Sequence, residues 1–336
     1  MNNSLKEHNT FGLDVKCRKF IEYTSLDGLS GIQKTLEKPY LHIGQGSNLL
    51  FTGDYEGTIL HCGMKGIRKS HEDNDDVFIE VAGGEIWDDV VAWCVEHGYN
   101  GTENLSLIPG EMGAAAVQNI GAYGAEIKDI VVYVDAFDLM TGNTRRFENA
   151  ECRYAYRSSI FKSECKGQYA IYSVTLKLSK IFTPHLEYGG LKSKINENNL
   201  DAKKLRQAII DIRNAKLPDP KVIGNAGSFF MNPIVSKEFF DTFILSYPEA
   251  PHYAAAMKDE DGNTTEGVKI PAGWLIEQCG WKGKTRGKAG VYEKQALVLV
   301  NLGGAEGKDI MDLCKAIQHD VKEKFNIDIQ PEVNLI

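Results

Sequence analysis

Residues 108 to 126 read IPGEMGAAAVQNIGAYGAE. Almost no bulky side chain interrupts the run, so its backbone is open to close approach from one side or the other. Two partners are compatible with it. A small-residue helix could pack tightly on a sheet, or a planar or elongated ligand could lie along the strip with Gln118, Asn119 and Tyr123 as polar contacts. Glycine is enriched in the whole chain, 33 of 336 residues, roughly a tenth against an average near 7%. Two more blocks concentrate it: LHIGQGSNLLFTGDYEGTIL at 41 to 60 and VIGNAGSFFMNP at 222 to 233. Each block follows or interrupts strand-like sequence, which marks loops where backbone meets something.

Familiar phosphate-binding motifs do not account for these blocks. A dinucleotide fingerprint at GQGSN needs a third glycine at position 49, where Leu49 stands, and LLF replaces the helix that must follow. Gln45 stands between the two glycines and has to fit without a positive φ or find its own partner. Two glycines, a serine and an asparagine in one turn can still form a nest of N–H groups for a pyrophosphate, or an ordinary tight turn. GWKGKT at 280 to 285 lacks the glycine five residues before Gly283, because Gln278 stands there, so a phosphate-loop NTPase is rejected. The eight histidines form no H-E-x-x-H pattern, and the seven cysteines form no C-x-x-C pair. No metal is expected, and the thiols are read as reduced structural residues.

Composition narrows the class. A net charge of −8 with no basic block argues against nucleic acid, whose phosphates need clustered Lys and Arg. Hydrophobic residues at 43% and charged ones at 25% describe a folded globular chain. No signal-peptide core and no run of about 18 apolar residues is present. A cytoplasmic monomer with no membrane insertion is expected.

Short β-branched runs predict strands at Val77 to Val81, Ile130 to Phe137, Ile171 to Leu178 and Ala296 to Asn301. Thr141-Gly142-Asn143 before TRRF predicts a hairpin. Helical spacing groups Ile86, Val90, Trp93 and Cys94 ahead of Gly98, then Leu205, Ile209 and Ile212, then Ile310, Leu313, Cys314, Ile317 and Val321. The prolines of KLPDP end the second of these helices and give the best domain boundary in the chain.

Seven blocks then occur in order: GQGSNLLF, IPGEMGAAAVQNIGAYG, YAYRSSIFK (154 to 162), RNAKLPDP (213 to 220), GNAGSFFMNP (224 to 233), PAGWLIEQCGWKG (271 to 283) and QPEVNLI (330 to 336). In this order the chain resembles the UDP-N-acetylenolpyruvoylglucosamine reductases over nearly its whole length. The resemblance implies an α+β protein, with a two-subdomain FAD-binding fold of the vanillyl-alcohol-oxidase type followed by a third, α+β substrate-binding domain. The implied divisions are 1–70 (with 327–336 returning to it), 71–217 and 218–326. It also implies non-covalent FAD, NADPH as co-substrate, and reduction of the enolpyruvyl ether of UDP-N-acetylglucosamine to UDP-N-acetylmuramate in cell-wall precursor synthesis.

The same resemblance carries residues over. Arg157 matches the catalytic arginine, Ser228 the proton donor and Glu332 the third active-site residue. FAD contacts fall on Gly44, Gln45, Gly46, Ser47 and Asn48 in the first block, and on Pro109, Gly110, Gly113, Ala114, Gln118, Asn119, Gly121, Ala122, Tyr123 and Gly124 in the second. Tyr156, Tyr188, Lys216, Asn232 and Tyr253 fall at substrate positions, with Tyr188 on a closing flap within 181 to 200. The chemistry agrees with these assignments. Hydride delivered to the enolpyruvyl methylene drives charge onto the adjoining carbon and carboxylate, which a planar guanidinium holds bidentately, and the enolate carbon then needs a proton. Two other classes compete. An oxidase of the same fold would tether FAD through a histidine, for which His42 and His61 stand nearby, and a nucleotide-sugar binding protein would bind without catalysis.

Overall fold

In a computed structural model of the chain, residues 3–187, 191–193, 195, 199–258 and 264–336 are described. They form two units. The first holds 1–3, 17–46 and 55–215; the second holds 4–16, 47–54 and 216–336.

Two larger sheets and a two-stranded ribbon of Gly121–Ala122 with Ala125–Glu126 lie in the first unit. In the smaller of the two sheets, strands Lys16–Tyr23 and Tyr40–Ile43 flank Tyr55–Cys62 in parallel. Helix α1 (Leu26–Gln33) begins at Ser25, whose hydroxyl accepts from the Gly28 N–H at 3.1 Å. It packs Leu29 into a core with Tyr23, Leu60 and Cys62. The larger sheet is antiparallel, in the order Thr144–Glu148, Val131–Asp138, Tyr169–Ser179, Asp76–Ala82, Ile67–Glu72. Its predicted strands and its hairpin are present: Ala136 pairs with Arg145 and Phe137 with Thr144 across the 139–143 turn. Alternation buries Val77, Ile79 and Val81 on one face, under α2 (Trp87–Glu96). That helix ends at Gly98, whose φ of +74° suits glycine.

The first half of the glycine-rich strip is a small-residue helix packed on a sheet. Residues Met112–Gln118 form a short helix, α3, whose Met112, Gly113, Ala115 and Ala116 are buried against the large sheet. A Cβ on Gly113 would stand 3.2 Å from the carbonyl oxygens of both Gly83 and Ile171, so its bareness lets helix and sheet close. Ala114, Val117, Gln118, Gly121, Ala122 and Tyr123 stay partly exposed along the same run, and Gly124 is exposed. The last helix of this region, α4 (Ala202–Lys216), buries Leu205 and Ile209 against Leu186, Leu191 and Ile195 and stops at the prolines, as its sequence requires.

The second unit has its own core. Strands Gly224–Ser228, Val298–Asn301, Ala289–Val291 and Thr285–Arg286 form a sheet in that order, and α5 (Lys237–Ser246) lies on a three-stranded sheet. The first sheet receives α7 (Gly307–Phe325), which buries Ile310, Leu313, Cys314, Ile317 and Val321 at helical spacing and touches α6 (Ala272–Gln278). The described residues of the polar run 254–267 belong to the hairpin of Tyr253–Lys258 with Thr264–Lys269. Its backbone ladder tolerates polar residues because one face is open to water. Among the described residues no helix is long and apolar enough to cross a membrane.

Candidate active site

Tyr156 and Arg157 occupy the tip of a two-residue turn. Ala155 and Ser158 exchange both backbone hydrogen bonds, each at 3.0 Å, which forces the tip residues to reverse the chain, and Arg157 takes φ +53°. The turn is fastened to the second glycine block on three sides. Asn119 Nδ2 donates to Ala155 O at 2.8 Å, Ser159 Oγ donates to Val117 O at 2.6 Å, and Arg157 Nη2 donates to Gly121 O at 2.9 Å. Lys162 Nζ donates to Arg157 O at 2.9 Å. The structure therefore brings together Arg157 and the expected FAD strip, which lie about forty positions apart in sequence.

Asn119 is only 1% exposed and its side chain is fully engaged: Nδ2 also donates to Glu126 at 2.9 Å, and Oδ1 accepts from Lys128 N–H. Its place is beneath the strip, shaping it. Gly110 carries a backbone tie of its own, its carbonyl accepting from Trp87 N–H at 3.0 Å.

The segments that carry Ser228 and Glu332 run side by side in the second unit. Glu332 N–H donates to Phe229 O at 2.8 Å, and Met231 N–H to Gln330 O at 2.9 Å, so the QPE segment runs beside SFFM. Between Asn225 and Ser228 the ladder to Val298–Asn301 slips. Gly227 at φ +69° makes that bulge, and Asn225 Oδ1 accepts its N–H at 2.9 Å. The bulge re-aims Ser228, while Phe229 and Phe230, 0% and 1% exposed, anchor the chain immediately after it. Asn48 belongs to this unit too: its Nδ2 donates to Glu332 O at 3.4 Å, and its carbonyl accepts from Asn334. The C-terminal strand Asn334–Leu335 pairs in parallel with Leu49–Leu50.

The expected substrate positions are dispersed. Asn232 Oδ1 accepts the Ala272 N–H at 2.9 Å at the start of α6. Tyr253 is about half exposed at the start of its strand, Lys216 ends α4, and Tyr188 lies outside the described residues. Arg213, one turn before Lys216, was not singled out although RNAKLPDP contains it. Burial lowers its proton affinity, as does the neighbouring Arg157 charge, while Tyr123 offers it a hydrogen bond. Its buried Nε has no partner among the described residues. A buried guanidinium left partly unsatisfied beside a second cation is a fit for an anionic ligand, and a flavin dinucleotide supplies one in its pyrophosphate.

Tyr123, Gly124, His185 and Glu187 line a cavity of about 270 Å³. Asn104 Nδ2 ties this place together from below, donating at 2.9 Å to the carbonyls of both Tyr123 and His185. A larger hollow of about 400 Å³ at Arg18, Lys19, Thr35 and Glu37 contains none of the expected site residues, whereas the smaller cavity borders the glycine strip at Tyr123 and Gly124. Among the described residues no group of three or more His, Cys, Asp or Glu is placed to hold a metal ion.

Sequence comparisons name the family. Residues 219–336 match the family described as UDP-N-acetylenolpyruvoylglucosamine reductase, C-terminal domain, and residues 32–148 match an FAD binding domain. A UDP-N-acetylenolpyruvoylglucosamine reductase of Bacteroides fragilis is 50% identical, covering 99% of this chain and 98% of its own. The chain belongs to the UDP-N-acetylenolpyruvoylglucosamine reductase family. A reductase of Porphyromonas gingivalis is 46% identical over 99% of this chain and 97% of its own. The solved UDP-N-acetylenolpyruvylglucosamine reductase from Thermus caldophilus shares the fold, with a TM-score of 0.67 at 21% identity over 99% of this chain and 97% of that one. The α+β FAD-binding architecture expected from the seven blocks is thus the one found, and the protein is a flavin-dependent oxidoreductase of this reductase family.

Proposed function

We propose that the chain reduces the enolpyruvyl ether of UDP-N-acetylglucosamine to UDP-N-acetylmuramate, a cell-wall precursor, with NADPH as hydride source and with Arg157, Ser228 and Glu332 as its active-site residues. The observation that carries the assignment of residues is the pairing of each expected catalytic side chain with a purpose-built backbone: a strained turn under Arg157, and a glycine bulge and the QPE strand at Ser228 and Glu332. Bound FAD would supply the hydride-transfer chemistry between the two substrates. Arg157 holds the carboxylate on which negative charge builds as the methylene carbon receives hydride. Ser228 gives its hydroxyl proton to the enolate carbon, and Glu332 positions the carboxyl region beside it.

Within this reading 1–70 and 71–217 are the two halves of the FAD-binding region, 218–326 binds the nucleotide sugar, and 327–336 returns to Leu49–Leu50. Gly44 to Asn48 and the strip from Pro109 to Gly124 hold FAD; Tyr156, Tyr188, Lys216, Asn232 and Tyr253 serve the substrate. The chain works as a monomer in the cytoplasm.

Ser228→Ala tests the assignment. Bleaching of the flavin by NADPH needs no protein acid and is expected to keep its rate. Reoxidation by the enolpyruvyl substrate is expected to slow by about 100- to 10,000-fold, the usual worth of a positioned general acid. Anaerobic stopped flow with each substrate separately reads both steps, and equal slowing of the two, or of neither, removes Ser228 from the role.

A further inference from the structure

His61 stands on strand Tyr55–Cys62 with a carboxylate at each ring nitrogen. Nδ1 lies 2.9 Å from Glu22 Oε2, and Nε2 lies 2.9 Å from Glu111 Oε1. A neutral imidazole carries a single N–H, so only the protonated ring can donate to both. Glu111 is the residue that immediately precedes α3, and its side chain is 6% exposed. Its second oxygen faces the other glycine block: a Cβ on Gly44 would come within 3.1 Å of Glu111 Oε2 and 3.3 Å of Ala114 Cβ. Glu22 reaches the ring by crossing Gly63, where a Cβ would stand 2.9 Å from its Cγ and Cδ. Bare backbone at Gly44 and Gly63 therefore makes room for both carboxylates.

We propose that Glu22, His61 and Glu111 form a proton-dependent clamp that sets the two glycine blocks against each other, so that FAD is held most tightly while His61 is protonated. The proposal rests on the reading that these blocks hold FAD. Loss of the ring proton leaves one carboxylate facing a lone pair. Half-exposed Glu22 can turn away to water, but Glu111, buried and closed in by Gly44 and Ala114, loses the positive charge that offsets its own and cannot reach water without moving Gly44 or the start of α3.

The surroundings leave this titration to His61. On strand Lys16–Tyr23, Phe20 lies 6.1 Å from its ring, and burial drives the Tyr23 hydroxyl well above its ordinary range. On Tyr40–Ile43, His42 is bonded to the Tyr23 hydroxyl at 2.8 Å, and burial lowers it to about 4. Beside it on its own strand the Cys62 thiol is pushed up by burial, with the Lys65 ammonium nearby. His61 alone in this group is raised from a starting point near neutrality, by the Glu111 hydrogen bond first, against the opposing effect of burial. A folded-state pKa above the ordinary one means that the contribution is complete below about 6.5 and is lost as pH climbs through the raised value.

The test is equilibrium dialysis of the purified holoprotein into FAD-free buffer from about pH 6 to about pH 9, spanning the ordinary histidine pKa and the range above it. Released FAD is measured by fluorescence and the melting midpoint is followed in parallel. The wild type is expected to lose about tenfold in affinity across the range, a typical coupling between linked sites. His61→Gln is expected to bind weakly with no pH dependence, and Glu22→Gln, which removes one carboxylate, to move the transition to lower pH. An unshifted transition in Glu22→Gln, or an unchanged pH dependence in His61→Gln, overturns the clamp. If His61→Gln does not fold, Glu22→Gln decides, since that side chain is half exposed. A wild type that binds FAD with pH-independent affinity sinks the clamp alone, whereas one that never carries FAD sinks the reading of the glycine blocks beneath it.

Discussion

Arg157 holds a left-handed backbone, φ +53°, which costs a non-glycine residue roughly 1 to 2 kcal/mol. Chemistry explains why arginine stands there: the turn carries its guanidinium to Gly121 O, beside the strip expected to hold the flavin. Arg157→Gly is therefore expected to separate stability from function. The glycine relieves the strain and forfeits a hydrogen bond of about 1 kcal/mol, so the melting temperature is expected to change by no more than about 4 °C. Substrate-driven reoxidation is expected to fall by about 100- to 1,000-fold, as when a group that stabilises developing charge is removed. Calorimetry and stopped flow check the two halves, and a large stability loss would return Arg157 to a purely structural role. The residue was legible in YAYRSSIFK, but its strain was not, because the turn depends on Asn119 and Ser159 reaching it from elsewhere in the fold.

Among the elements, α2 and α4 are joined by one ion pair. Arg206 donates to both oxygens of Asp88, at 2.7 and 3.0 Å, and the Leu107 N–H donates to the same carboxylate at 2.5 Å. The pair thus fixes the chain just ahead of IPGEMG. Burial pushes the Asp88 carboxyl up, but hydrogen bonds from Arg206 and Leu107 outweigh it, and the net pKa is lowered. A depressed carboxyl stabilises above its ordinary pKa near 3.9 and loses that contribution as pH falls through the lower folded value. Asp88→Asn is expected to cost about 3 kcal/mol at neutral pH, the low end for breaking a largely buried pair, and to flatten the acid limb of the stability profile. Urea titrations at pH 7 and at about pH 3 measure both, and an unchanged neutral midpoint would show that the pair is dispensable. Periodicity announced α2, α4 and α7, because each buries one stripe. It could not announce α3, whose alanines and glycines carry no stripe, nor the Tyr253–Lys269 hairpin, whose polar residues hide its alternation. Contacts such as Asp88 with Arg206, or His61 with Glu22 and Glu111, join residues that no local window holds together.

At the scale of the whole molecule, the FAD binding domain match at 32–148 falls mostly in the first unit, and a ligand bound by folded chain alone must raise its stability. With free FAD a hundredfold above its Kd the gain is about 2.7 kcal/mol. One kcal/mol moves the melting point of a unit of 150 to 250 residues by about 2 to 4 °C, so the shift is expected to be about 5 to 10 °C. The gain must also be reversible. Of the two histidines near the first glycine block, His42 bonds the Tyr23 hydroxyl through Nε2, and His61 has carboxylates at both nitrogens. A flavin tether at any of these three nitrogens would break a contact that orders the small sheet. FAD is therefore expected to leave with acid precipitation and to colour the supernatant, and stripped protein is expected to melt lower and to recover when FAD returns. Scanning calorimetry of holo, stripped and reconstituted samples makes the comparison. A stripped protein with an unshifted transition would mean that FAD contributes nothing to folding stability, and flavin remaining with the acid pellet would mean a covalent bond and an oxidase-like attachment.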